Sequence, residues 1–113
     1  MTLPQQGILL RIFVSENDMY NHVNLYEAIV LKAKELNLAG ATVFRGIMGY
    51  QRGQEVRTAK ILRLSENLPV VIEIVDTQAN IDKILPFLDE VVTEGLVTTE
   101  KVNVFKYVRK QSE

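Results

Sequence analysis

A chain of 113 residues, 47% hydrophobic and 24% charged, has the length and composition of one folded domain with a sizeable core, and is too apolar to be a disordered segment. A formal net charge of −1 gives no overall field toward nucleic acid or an anionic membrane surface, so any anion site must be local. The absence of cysteine excludes disulfides, thiolate metal centres and thiol nucleophiles.

Residues 1–6 lack the basic start and apolar run of a signal peptide, and no apolar stretch approaches the roughly 20 residues that span a bilayer. The expectation is a single domain over 1–113, cytoplasmic and without membrane insertion. Residues 8–14 (ILLRIFV) form a short apolar, partly β-branched run behind Gly7, which reads as a buried first strand. Asn24 with Glu27 resembles a capping box, and Leu25, Ala28, Ile29, Ala33 and Leu36 then recur at helical spacing. This helix should end near Asn37, with Gly40 just beyond.

Residues 41–50 (ATVFRGIMGY) read as a second strand loosened at its far end by two glycines, and 51–58 (QRGQEVRT) as a mobile loop. The stretch 59–64 is ambiguous between a short strand and one helical turn, and 65–69 (SENLP) is turn chemistry. Residues 70–75 (VVIEIV) are the clearest strand. Asp76 or Thr77 then caps a second helix with an apolar stripe at Ile81, Ile84, Leu85, Leu88, Val91 and Val92, and Pro86 should kink or divide it. Gly95 is placed to stop that helix, and residues 102–108 alternate as a last strand. The order is β-α-β-β-α-β: an α+β, ferredoxin-like fold with two helices on one face of an antiparallel sheet.

The other sheet face should be open. Arg11, Arg45 and Glu73 put charge inside strands, where a cross-strand ion pair between Glu73 and an arginine is the plain expectation, and a subunit interface or ligand cleft the sharper one. Phe44, Met48, Phe105 and Tyr107 supply more apolar surface than two helices need, which predicts a homo-oligomer.

The segment 45–63 holds Arg45, Arg52, Arg57, Lys60 and Arg63 against the single acid Glu55, with Gly46, Gly49 and Gly53 interleaved. Glycine lets a backbone approach an anion closely, and arginine adds bidentate recognition of phosphate or carboxylate. A phosphate-bearing ligand is one reading; a solvated hairpin loop is the other, since the spacing matches neither a P-loop nor a dinucleotide fingerprint. His22, the only histidine, lies near Glu16 and Asp18 but lacks the three or four ligands of a preformed metal site, so it reads as a solvated turn residue. The acids Asp76, Asp82, Asp89, Glu90 and Glu94 read mostly as the solvated face of the second helix. Ser15, Ser65 and Ser112 have no activating histidine nearby, and residues 70–75 lack the aromatic pair of RNA-recognition sheets. No enzyme, no cofactor and no nucleic-acid partner is expected.

Four stretches, 25–30 (LYEAIV), 38–49 (LAGATVFRGIMG), 64–76 (LSENLPVVIEIVD) and 94–98 (EGLVT), carry a resemblance to domain-of-unknown-function family 190, also called UPF0166, over residues 7–108. That family is similar to the PII signalling group, which implies a PII-like, ferredoxin-like subunit in a homotrimer. In PII proteins a glycine-rich segment ending the second strand lines an inter-subunit nucleotide cleft. Residues 46–52 (GIMGYQR) stand in that place, so the resemblance gives Gly46, Gly49, Gln51 and Arg52 a ligand role. Here the glycines are one residue further apart, glutamine precedes arginine, residues 98–102 (TTEKV) replace a Gly-Asp-Gly-Lys-Ile-Phe signature, and Tyr50 lies at the loop base.

The expected site is therefore Arg45, Gly46, Gly49, Tyr50, Gln51, Arg52 and Arg57, binding a small-molecule anion, with a nucleotide foremost. Ordering of the loop would change what a regulated partner, such as a transporter, can engage. Two alternatives are a metal-responsive trimer similar to CutA proteins, and a small enzyme of the ferredoxin-like barrel type with an enclosed apolar cavity.

Overall fold

The computed structural model describes residues 5–59 and 67–110. In chain order the elements are β1 (Gln6–Ser15), β2 (Met19–Tyr20), β3 (Val23–Asn24), α1 (Leu25–Glu35) and β4 (Thr42–Arg45). They continue with β5 (Met48–Gly49), β6 (Arg57–Thr58), β7 (Pro69–Asp76), α2 (Gln78–Val91) and β8 (Leu96–Asn103).

The central strands β1 and β7 form because apolar, mostly β-branched side chains recur on the face that meets the helices. In β7 burial alternates strictly, with Val70, Ile72 and Ile74 inward, and β1 sends Leu10, Ile12 and Val14 into the same layer. Leu25, Ile29 and Ala33 of α1 and Ile81, Ile84, Leu88 and Val91 of α2 close that core from one side. Burying each such isoleucine or leucine contributes about 1.5–3 kcal/mol. The four-stranded sheet runs β4-β7-β1-β8 and is antiparallel throughout, so the fold is ferredoxin-like as expected.

Register arranges the opposite face in rows. Phe44 pairs with Val71, Val71 with Phe13, and Phe13 with Leu96, which lays four apolar residues across all four strands. The next row is polar, Thr42, Glu73, Arg11 and Thr98. Phe44 and Leu96 are each about half exposed, at 50% and 55%.

Several local expectations need correction. Asn24 stands at the N-cap of α1, but its side chain makes no cap; Nδ2 donates instead to the Glu16 carbonyl at 2.9 Å, tying the helix start to the end of β1. The left-handed residue that closes α1 is Asn37, with φ of 62°, so Gly40 has no part in it. Thr77 caps α2, its hydroxyl accepting from the Asn80 N–H at 3.1 Å, and α2 runs through Pro86 as one helix. Pro86 is exposed while Ile84 and Leu88 beside it are buried, so core packing holds the helix together across the missing hydrogen bond.

Asp76 is no part of a solvated face. It is wholly buried and accepts from the Ala39 N–H, the Thr77 N–H and Asn80 Nδ2 at 2.7, 2.7 and 2.9 Å. The last strand begins six residues earlier than expected, at Leu96, and ends at Asn103. Residues 104–110 are not strand: the Val104 N–H donates to the Gln5 carbonyl, and the Tyr107 hydroxyl to the Ala39 carbonyl at 3.2 Å. The second strand also stops early, at Arg45, and β5 pairs with β6 rather than with the main sheet. The segment 51–58 thus keeps its turn only over 51–56, where the Gln54 N–H donates to the Gln51 carbonyl. The ambiguous stretch beyond Ala59, together with Ser65 and Glu66, lies outside the described residues.

Candidate functional site

The interruption between β4 and β5 builds the site. At Gly46 the N–H donates to the Pro69 carbonyl at 2.7 Å, and a Cβ there would sit 2.8 Å from Pro69 Cγ. A Cβ at Gly49 would lie 3.1 Å from the same atom. Gly46 lets the chain lie on the proline ring where a Cβ would clash, and at Gly49 a Cβ would be a tight fit, so the close approach that the glycines permit is, first, an approach to Pro69. Past it the chain reverses, with Gly53 at φ of 82° in the turn, and returns as β6. The Ala59 N–H then donates to the Ile47 carbonyl.

Between this β5–β6 hairpin and the ends of β1 and β7 lies a cleft of about 290 Å³. It is lined by Gly46, Gly49, Tyr50, Gln51 and Arg57 of the expected set, which the fold brings together. Two of the expected residues do not line it. Arg45 is held by Glu16, with Nε to Oε2 at 2.8 Å and Nη2 to Oε1 at 3.2 Å, and Arg52 is exposed in the turn. Lys60 and Arg63 lie outside the described residues.

Phe13, Ser15, Met48, Gln54, Asn67 and Pro69 also line the cleft. Sequence reasoning did not reach Phe13, Gln54 or Asn67, because only strand register and the hairpin fold bring them here. The signal for Phe13 was present in the outward half of the β1 alternation. The apolar side of the cleft is Phe13, Met48 and Pro69, and the polar side consists of amides, the hydroxyls of Ser15 and Tyr50 and the Arg57 guanidinium. Gln54 is tied across to the start of β8 by Nε2 donating to Glu94 Oε1 at 2.6 Å. Asn67 Oδ1 accepts from the Asn17 N–H at 2.7 Å. Such a lining can stack a flat group and hydrogen-bond an anion. No histidine stands by Ser15: His22 is exposed in the tight β2–β3 turn, at φ of 69°, and does not line the cleft, while Asp18 Oδ2 accepts from the Ser15 N–H at 2.9 Å.

On the open sheet face the expected ion pair is present. Arg11 Nε meets Glu73 Oε2 at 2.8 Å, and Arg11 Nη1 meets Glu100 Oε1 at 2.8 Å. The Glu73 hydrogen bond, with both carboxylates adding, raises the Arg11 pKa above its already high ordinary value. Among the described residues there is no group of three or more His, Asp or Glu side chains placed to hold a metal ion.

The ferredoxin-like fold is shared with PII-like proteins of known structure. The nitrogen-regulatory PII-like protein CPII from Thiomonas intermedia K12, solved with ADP, AMP and bicarbonate, superposes with a TM-score of 0.64 at 14% identity, over 89% of this chain and 90% of that one. The divalent ion tolerance protein CutA1 from Ehrlichia chaffeensis shares the fold at a TM-score of 0.54 and 13% identity, over 96% and 87%. The profile of DUF190, an uncharacterized ACR family, matches residues 7–104, and the chain belongs to that family. A UPF0166 protein of Aquifex aeolicus is 44% identical over 98 residues, covering 85% of this chain and 90% of its own. The UPF0166 protein MJ1524 of Methanocaldococcus jannaschii is 41% identical over 100 residues, covering 87% and 91%. Among the described residues no helix is long and apolar enough to cross a membrane.

Proposed function

We propose that this protein is a regulatory, non-catalytic subunit that binds a small anion, with a nucleotide foremost, in the cleft beneath the β5–β6 hairpin. The observation that carries the reading is the convergence of Gly46, Gly49, Tyr50, Gln51 and Arg57 on one cleft beside the apolar surface of Phe13 and Pro69. Arg57 supplies the charge, Gln51 and Asn67 supply hydrogen bonds, and Tyr50, 70% exposed, is free to stack on a base. Arg45 and Arg52 join only by reorienting: Arg45 would leave Glu16, and Arg52 would turn in from the loop. The nucleotides bound by CPII support a nucleotide as the first ligand to try.

At about 290 Å³ the cleft is at the lower limit of small-molecule sites, roughly 300–1,000 Å³, which fits a site completed by a second subunit. The apolar row Phe44, Val71, Phe13 and Leu96 supports association through the open sheet face, and a cytoplasmic homotrimer is the assembly we assign. Ligand in the cleft changes the 51–56 turn, which a regulated partner such as a transporter then reads.

A thermal-unfolding screen against ATP, ADP, AMP, cyclic nucleotides, acetyl-CoA and divalent metals tests the reading. A ligand at about 100 times its Kd stabilises the folded state by about 2.7 kcal/mol. A shift with one nucleotide and none with metals is the expected result; a shift with metals alone would overturn the assignment in favour of a CutA-like role.

A further inference from the structure

A larger concavity lies away from the ligand cleft. It runs between the outer side of α2 and the start of β8, has a volume of about 670 Å³, and has an apolar floor of Leu85, Pro86, Val92 and Val97. Asp82 and Asp89, both exposed, stand along its margin. It is an apolar groove with a negative rim, and α2 carries one basic residue, Lys83.

The complementary surface is the segment that follows β8. Over residues 104–110 the chain has left the sheet, pinned by the Val104 N–H on Gln5 and by the Tyr107 hydroxyl on the Ala39 carbonyl. These anchors leave Phe105 fully exposed and Val108 71% exposed. Lys106, Arg109 and Lys110 stand beside them, with no acidic residue anywhere in 104–110. A fully exposed phenylalanine flanked by cations is a costly surface for an isolated subunit and is typical of an interface anchor.

We propose that residues 105–110 of one copy dock in the α2–β8 groove of a second copy. Phe105 and Val108 cover the floor at Leu85, Pro86 and Val97, and Lys106, Arg109 and Lys110 pair with Asp82 and Asp89. The docking is between copies because Tyr107 holds each segment at Ala39, just ahead of β4, while the groove lies beside β8 at the opposite edge of the sheet. Charge complementarity sets the polarity of the contact, and the apolar floor carries its affinity.

A chain with no cysteine of its own makes the test clean. Val108→Cys and Pro86→Cys are combined in one chain, both at exposed positions and with the Phe105 anchor intact. Mild oxidation is expected to give covalently linked chains on a non-reducing gel. The control pairs Val108→Cys with Leu31→Cys, on exposed α1 surface, and is expected to stay without covalent linkage. Adding Phe105→Asp to the first pair should cut linkage at least tenfold, and reversing the rim with Asp82→Lys and Asp89→Lys should do the same. Linkage no greater than in the control, a disulfide closed within one chain, or linkage indifferent to Phe105→Asp would each overturn the proposal.

Discussion

Replacing Asp76 by asparagine leaves the volume of this buried group unchanged and alters only its charge and its hydrogen-bonding pattern. One carboxylate oxygen accepts from the Ala39 N–H, and the other from the Thr77 N–H and Asn80 Nδ2. Whichever way the amide is turned, its NH2 group faces at least one donor. Turned toward Ala39, it leaves that N–H without a partner and converts two charge-assisted bonds into neutral ones. The stranded donor costs about 1–3 kcal/mol, and the whole change about 2–3 kcal/mol. With a urea m-value of about 1.5 kcal/mol/M, the unfolding midpoint should fall by about 1.3–2 M at unchanged m. The melting temperature should fall by about 10 °C. The effect reaches the candidate site, because Ala39 leads directly into β4 and so into the glycine interruption. A midpoint shift below about 0.3 M would refute the reasoning and show that Asp76 is not the clamp its geometry describes.

The two nearby glycines give a contrasting pair. Gly46→Ala brings its Cβ to 2.8 Å from Pro69 Cγ and should cost about 1–3 kcal/mol by overpacking, whereas Gly40→Ala, with nothing within 4 Å, should stabilise by about 0.4–1 kcal/mol; equal changes in denaturation midpoint would contradict the packing account. Thr77→Ala should lose about 1 kcal/mol with the α2 cap, and Thr77→Ser should restore most of it, so a serine variant as unstable as the alanine would remove the cap as the cause.

How far the sequence leads depends on whether an element is specified locally. β7 and β1 were legible because both are central strands whose burial forces an apolar pattern, and the two helices because their stripes face one core. β8 was misplaced for the opposite reason. As an edge strand it is mostly exposed, so residues 96–103 carry threonine, glutamate and lysine where a buried strand would carry valine. The alternation in 102–108 belongs instead to a segment with Phe105 in solvent. The β2–β3 hairpin left no trace because its left-handed residues are Asn21 and His22 rather than glycine.

Half of the cleft was readable in the same sense. The cation-and-glycine segment flagged one wall, but Phe13 and Asn67 belong to the other wall, and nothing local in 45–63 indicates that β1 and the start of β7 lie opposite. Nor does the sequence show that Arg45 is engaged by Glu16, an ion pair across 29 positions. That pairing decides which arginines are at hand for a ligand.

The claim most in need of measurement is that the cleft beneath the β5–β6 hairpin is where the anion binds. Isothermal titration of ADP and AMP into the purified protein and its Arg57→Ala variant addresses it, with Lys83→Ala on α2 as a control for general loss of charge. Loss of one charge-assisted hydrogen bond, about 1.5–3 kcal/mol, should weaken binding about tenfold to a hundredfold in Arg57→Ala and leave Lys83→Ala unchanged. Binding of equal affinity in all three proteins would place the ligand elsewhere and contradict the account.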